Sequence, residues 1–438
     1  MYPIPESLKP SDVNKLDSYF PLRNKGNEFD WSTITGLVLA YILKKQIKSY
    51  SIDEFRAECK VRFDNLLEDP SYWAVIDDMY FSTDGVLKAS PVFLLFKAQF
   101  KGKGKIELGA PNWRMGALFA GLIGEHEAGD GLHDDLNFLE HELVKIFVQK
   151  LDLLEKDTFS AEISYLPYLA SAFREDIDFL CSKPNFLMEH LEDTLRLYSF
   201  SYCSQLALNM RAWREGPPVS RKIYFLLDNE KASSERAMVQ NYGYKMFSKA
   251  SEYLFPMLST LEVLQIDGPK RPLWKVYADC CEHPNSSQIL DELNSYISAF
   301  RDLRLLPPVQ LSTAIEEVFQ QLEAVAMDQF RGLQSHRSGV NKKYMLELEG
   351  QLGAEFIVNR GRAGKVLVLN QDQLVLLTNI SIGSQEKLRL HELVGQFERR
   401  GFYLDSQSQQ VLVSFFERMG NIERMSDSGD AVYVRKTI

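Results

Sequence analysis

The chain is poor in cysteine: Cys59, Cys181, Cys203, Cys280 and Cys281 are the five in 438 residues. The count is odd, the spacing is scattered and no CxxC pair occurs, which argues against a disulfide framework and a thiolate zinc site. The neighbours Cys280 and Cys281, with His283 after them, aim in different directions and make a poor grip for one ion. Long apolar runs are missing too. The most apolar stretch is 34–43, ended by Lys44 and Lys45, far short of the roughly 20 residues that span a bilayer. It reads as a buried core helix. Residues 1–10 lack the basic and apolar segments of a signal peptide, so a cytoplasmic protein is expected. No internal repeat or low-complexity tract interrupts the chain. With 45% hydrophobic and 25% charged residues, disorder and collagen-like structure are excluded. The length allows two to four domains at roughly 100–200 residues each.

Motifs of catalysis are equally scarce. Neither Lys101-Gly102-Lys103-Gly104-Lys105 nor Gly361-Arg362-Ala363-Gly364-Lys365-Val366 completes GxxxxGK[ST], because no hydroxyl follows the lysine to hold Mg²⁺. Both read as basic turns, and ATP hydrolysis is not expected. Glu58-Cys59-Lys60 lies on a helical stretch, with Asp53 only five residues upstream, unlike a nuclease core. There is no GxSxG elbow for an exposed serine nucleophile. The five tryptophans are dispersed at helical spacing, as core residues are. No cofactor is expected.

One polar cluster stands out. Between Glu125 and Glu142, seven carboxylates occupy 18 residues with no Lys or Arg among them, joined by His126, His133 and His141. His126, His133 and Asp134 are candidate ligands for Mg²⁺ or Mn²⁺ in a metal-dependent nicking activity. The bland reading is a solvated acidic loop before a helix N-terminus, and no metal is the expectation.

Charge is unevenly spread. The formal balance is −10, yet residues 331–438 carry 15 Lys/Arg against 12 Asp/Glu, net +3. The preceding 330 residues then hold 35 basic and 48 acidic groups, net −13. Nucleic acid, if it is bound, belongs with the C-terminal quarter, and the acidic front suits protein partners.

Periodicity supports a mainly α fold: a multi-helical body with a C-terminal winged helix-turn-helix domain carrying short β-hairpins. Ser51 to Glu54 form a capping box opening a helix with Phe55, Val61, Phe63, Leu66 and Leu67 on one side. Further helices are expected over 138–154, 159–181, 185–213, 233–264 with a kink near Pro256, 286–304 and 310–333. Gly216-Pro217-Pro218 divides an N-terminal helical domain, 1–215, from a second over 216–333, which opens with a short strand at 222–227. Residues 334–341 read as a linker to a third domain over 342–438. There, strands 355–358 and 365–369 flank a basic turn, helices follow at 372–377, 385–400 and 406–419, and strands 422–425 and 431–435 close the chain.

In a winged helix the helix before the wing enters the major groove by its N-terminal end. Ser406, Gln407, Ser408 and Gln410 suit base-edge and phosphate hydrogen bonds there. Arg418, Arg424 and Lys436 would add phosphate contacts, with Arg360, Arg362 and Lys365 as clamps from the earlier hairpin. Asp427 and Asp430 in the wing turn would repel phosphate, and they suit local side-chain to backbone bonds instead. Winged helices also dock proteins, so direct DNA contact and protein docking both stay open.

The tail segments Glu398-Arg399-Arg400-Gly401-Phe402, Asp405, Ser408 and 422–434 resemble the G component of DNA phosphorothioation-dependent restriction systems, the family called DptG or DndG. A looser similarity covers Tyr224-Phe225-Leu226-Leu227, Glu230, Ser233, Arg236 and Leu261 to Leu264. Val432 stands where that pattern has a more polar residue. The resemblance implies a bacterial anti-phage defence role beside two partners, F and H, of which H is the NTP-hydrolysing motor, acting together on DNA that lacks the phosphorothioate modification. It assigns no catalytic residue. The expected function is therefore a non-catalytic DNA-binding or adaptor subunit of such a complex. Its alternatives are a pure scaffold docking the partner ATPase and a metal-dependent nicking subunit.

Overall fold

A computed structural model describes residues 2–82, 85–128, 132, 136–155, 158–159, 161–231, 236–331, 336–425 and 431–438. Among the described residues the chain is mainly helical, with three small sheets. The apolar run near residue 40 is the helix Trp31–Leu43, capped by the Asp30 side chain on the Ser32 amide and closed by Lys44 in the left-handed region. Nine of its residues are buried, because it packs between the helix Ala110–Ile123 and the 3₁₀ segment Pro91–Lys97. A side chain at Gly36 would meet the Ala98 Cβ at 2.8 Å, so only glycine allows that approach. Among the described residues no helix is long and apolar enough to cross a membrane.

The capping box at Ser51 and Glu54 opens the helix Ile52–Leu66. Its buried stripe is Phe55, Cys59 and Phe63, an i, i+4, i+8 row. Val61 and Leu66, expected on the same side, are exposed. The expected helix over 233–264 is three helices: Ala237–Tyr242, Tyr244–Ser251 and Leu254–Val263. The break falls at Gly243, where an added Cβ would meet the Val239 carbonyl at 2.5 Å and that of Tyr224 at 3.0 Å. Pro256 makes no kink because it lies in the first turn of its helix, where its missing N–H has no intrahelical partner to lose. Part of the expected linker, from residue 336 on, belongs to the helix His336–Glu347.

At the centre lies the 26-residue helix Pro184–Asn209. From Leu197 to Ala207 every residue is buried, the polar ones included: Ser199 and Ser204 bond to carbonyls of the helix itself, and others reach other segments. Gln205 exchanges two bonds with Arg221, giving Nε2 to its carbonyl at 2.9 Å and taking its amide at 2.8 Å. Asn209 donates to the Val219 carbonyl at 3.2 Å, and Ser201 to that of Arg400 at 2.5 Å. Gly401, at φ +84°, passes so close that a Cβ would sit 2.9 Å from Ser201 and Gln205.

The segment from 219 leads into the strand Tyr224–Leu227, buried along its length. It pairs in parallel with Lys365–Leu369 on one side and Tyr403–Leu404 on the other. Ile357–Asn359 adds antiparallel to Lys365–Leu369, completing a four-stranded sheet. This sheet joins residues from the expected second and third domains. Beyond it come the helix Gln371–Ile382, strand Lys387–Arg389, helices Leu390–Arg399 and Ser406–Met419, and strands Ile422–Met425 and Ala431–Arg435. The last strand lies between the other two in an antiparallel sheet of three.

Candidate nucleic-acid interface

The helix Ser406–Met419 is built with two faces. Asp405 caps it by accepting from the Ser408 amide at 2.9 Å, and Gly420 ends it at φ +73°. Ser408, Leu412, Phe415 and Phe416 point inward. Ser406, Gln407, Gln410, Ser414, Glu417 and Arg418 face solvent. Gln410, Ser414 and Arg418 line a shallow depression of about 520 Å³ whose far side is Asn229, in the turn after the central strand.

A buried ionic network seats the N-terminus of this helix. Arg236 donates Nε to Asp405 Oδ2 at 2.8 Å and Nη2 to Oδ1 at 2.5 Å. Its Nη1 reaches Glu230 at 2.8 Å, and Nη2 also bonds the Ser408 hydroxyl at 2.8 Å. That hydroxyl donates to Glu230 at 2.7 Å, and the same carboxylate accepts the Leu227 amide at 2.7 Å. Burial alone would raise the pKa of Asp405, but the bonds from Arg236 and the Ser408 amide outweigh it and hold the carboxyl below its ordinary value. The network thus locks the helix to the end of the central strand.

A second buried pair lies one connection earlier. Arg400 donates Nε to Asp176 Oδ2 at 2.8 Å and Nη2 to Oδ1, while Tyr198 donates to Oδ2 at 2.5 Å. Burial opposes the Arg400 charge, but the Asp176 carboxylate more than offsets it and the guanidinium stays protonated. Its neighbour Arg399 is bound to Glu175 at 2.5 Å.

The expected DNA-contacting residues therefore divide. Ser406, Gln407, Gln410 and Arg418 share the outward face. Ser408 is fully buried and leaves the set, since its hydroxyl is committed to Arg236 and Glu230. Arg424 pairs with Glu417 at 2.5 Å, and Lys436 turns inward to the Gly383 carbonyl at 3.2 Å and the Phe179 ring. Lys365 pairs with Glu349 at 2.5 Å. Arg360 donates to the carbonyl and side chain of Asp228 at 2.9 and 3.1 Å, while Arg362 at the hairpin tip is exposed. The turn at Asp228 and Asn229 thus brings the hairpin tip beside the outward helix face. The expected wing turn, 426–430, lies outside the described residues.

Of the metal candidates, His133 and Asp134 also lie outside the described residues. His126 bonds Asp178 at 2.8 Å, and Glu142 is held by Arg62 and Lys145 at 2.9 and 2.6 Å. Those two cations keep the Glu142 carboxyl below its ordinary pKa, Lys145 contributing most. Among the described residues no three His, Cys, Asp or Glu side chains converge on a point suited to a metal ion. His283 follows the vicinal cysteines but stacks edge-on against Tyr2, its ring centroid 5.3 Å away.

The two buried networks escaped the motif reading. Their signal was indirect: Glu230, Arg236, Arg400 and Asp405 are all among the residues on which the expected family resemblance rests. Ser233 of that set lies outside the described residues. Compared with known proteins, the chain matches no family model, and no curated protein matches it.

Proposed function

We infer that the expected C-terminal domain, 342–438, contains a winged helix-turn-helix over 371–438 and that the protein is a non-catalytic DNA-binding adaptor of a phosphorothioation-dependent restriction complex. The observation that carries this reading is the helix, strand, helix, strand, helix, strand, strand order, in which Tyr403–Leu404 belongs to the four-stranded sheet, the last strand is central in the other sheet, and the helix before the hairpin has a polar outward face. Gln407 and Gln410 are the base-edge readers and Arg418 the phosphate contact, with Arg362 reaching the backbone from the neighbouring hairpin. The acidic helical body takes the partner subunits, F and the NTP-hydrolysing H, in the cytoplasm. Cleavage and NTP hydrolysis reside in those partners.

A second reading has a specific observation in its favour. Arg360, Lys365, Lys387, Arg399, Arg400, Arg424 and Arg435 are all ion-paired within the chain. Their charge is spent internally, which suits a module that docks the motor subunit rather than DNA. Reconstitution separates the two. With Gln407, Gln410 and Arg418 all replaced by alanine, the adaptor reading expects normal assembly with the partners and loss of attack on unmodified DNA. Intact attack with lost assembly favours docking. Attack that proceeds without this chain at all removes it from the system.

A further inference from the structure

Two arginines without an ion pair among the described residues line one cavity in the net-negative part of the chain. The cavity, of about 570 Å³, opens between the N-terminal segment 17–23 and the helix Ala110–Ile123. Arg23, Arg114, Lys105, Trp113, Tyr19 and Glu162 are among its lining residues. Its volume is that of a small-molecule site.

Both arginines are built in. Arg23 gives Nη1 to the carbonyls of Phe20 and Leu22 at 3.0 and 2.9 Å. Arg114 gives Nε to the Pro21 carbonyl at 2.6 Å, and Nη2 to the Gly26 carbonyl and Asn27 Oδ1 at 3.1 and 3.0 Å. These bonds fix the planes of the guanidinium groups without neutralising them. Arg23 Nε and Nη2 and Arg114 Nη1 have no acceptor among the described residues, and neither arginine has a carboxylate within ion-pair distance among them. Burial lowers the pKa of both, and Arg23 further depresses Arg114, to about 10, by like-charge repulsion. Two unpaired guanidiniums side by side are a cost to the fold that an anion between them would relieve.

The rest of the wall is consistent with an anionic guest. Tyr19 is held at φ +62°, in the left-handed region where a bulky side chain is rare, and is anchored by its hydroxyl on the Ile163 carbonyl at 3.1 Å. Two acids also line the space. Asp17 is exposed at the rim, and its charge, with that of Glu262 behind it, favours the Arg23 guanidinium without outweighing the effect of burial. Glu162 is pushed up to about 8, chiefly by burial, so at neutral pH it keeps its proton and can donate a hydrogen bond. Lys105 is exposed at the mouth, and Trp113 offers an apolar surface to whatever the anion is attached to.

We propose that this cavity binds a small phosphate-bearing molecule, the phosphoryl group held between Arg23 and Arg114 with Lys105 at the entrance and the organic part against Trp113. Paired planar guanidiniums match phosphoryl oxygens bidentately, which a lysine cluster would not. The site is independent of the winged-helix reading and stands or falls alone.

Titration calorimetry on the full chain, with inorganic phosphate, pyrophosphate, AMP and adenosine as probes, tests the proposal. Binding of AMP tighter than millimolar, with adenosine silent, is the expected result. Inorganic phosphate or pyrophosphate binding as tightly as AMP would assign the site to the free anion instead and overturn the organic half of the proposal. Arg23→Gln should weaken AMP about tenfold. Arg114 ties down three backbone or side-chain acceptors, so Lys105→Glu at the exposed rim serves as the variant that leaves the fold intact, with an expected loss of about three- to tenfold. Silence from every probe, adenosine binding as tightly as AMP, or full affinity in both variants would each overturn the assignment.

Discussion

Two arginine-bearing regions of this molecule have exchanged the roles that their charge counts suggest. The C-terminal quarter is net positive, yet Arg399, Arg400, Arg424 and Arg435 are each bound to a carboxylate. The front of the chain is net negative, yet Arg23 and Arg114 sit in a cavity with no carboxylate at ion-pair distance among the described residues. Net charge along a sequence reports solubility and long-range field. It does not report which cations are free, because pairing is decided by side chains far apart in sequence. Asp176 and Arg400 are 224 residues apart, and Glu230 reaches Ser408 across 178.

Stranding one member of a buried ion pair should have the largest effect. Arg400→Ala leaves Asp176 buried without its partner, and should lower stability by about 3–5 kcal/mol in chemical denaturation. Replacing both members with apolar residues of similar volume should recover most of that loss, which would identify the deficit as a stranded charge rather than lost packing. A milder cut is Ser408→Ala, which deletes the hydroxyl between Arg236 and Glu230 and should cost about 1–3 kcal/mol. DNA affinity should change only as far as folding does, since this side chain does not face solvent; a selective loss of DNA binding in a fully folded variant would contradict its placement.

On the cavity side, Glu162 sharpens the contrast through pH. The folded chain holds its proton up to about pH 8, while the unfolded chain releases it near the ordinary value of 4.5. The folded form therefore binds more protons across that window, and this group's contribution falls as pH rises from 4.5 to 8, then levels off. Glu162→Gln should remove that dependence. The melting temperature of the variant relative to wild type should rise between pH 5 and pH 8, and a constant offset would show that the carboxyl ionises normally.

The legible parts of the fold were those with local punctuation. Asp405 and Gly420 bound one helix, Ser51 and Glu54 open another, and the glycine turn between Ile357–Asn359 and Lys365–Leu369 marks a hairpin. The parallel pairing of Tyr224–Leu227 with Lys365–Leu369 and Tyr403–Leu404 has no such mark, because its partners are more than 100 residues away. The same holds at the candidate interface. Ser406, Gln407, Gln410 and Arg418 were readable from helical position, whereas the burial of Ser408 depends on Glu230 and Arg236 arriving from another segment. The break at Gly243 was missed because the obstruction is the Tyr224 carbonyl from the neighbouring strand as well as the helix's own Val239.

That sheet also shapes the decisive experiment. Stopping the chain before residue 336 would remove three of the four strands, so a point variant is the cleaner instrument. Duplex binding by the full chain should be titrated against salt for wild type and Arg418→Ala. Wild type should bind measurably at low salt, with log affinity falling linearly in log salt, and the slope should be reduced by about one in the variant. Identical slopes for the two proteins, or no duplex binding by wild type at low salt, would contradict a DNA-contacting role for the outward face of the Ser406–Met419 helix.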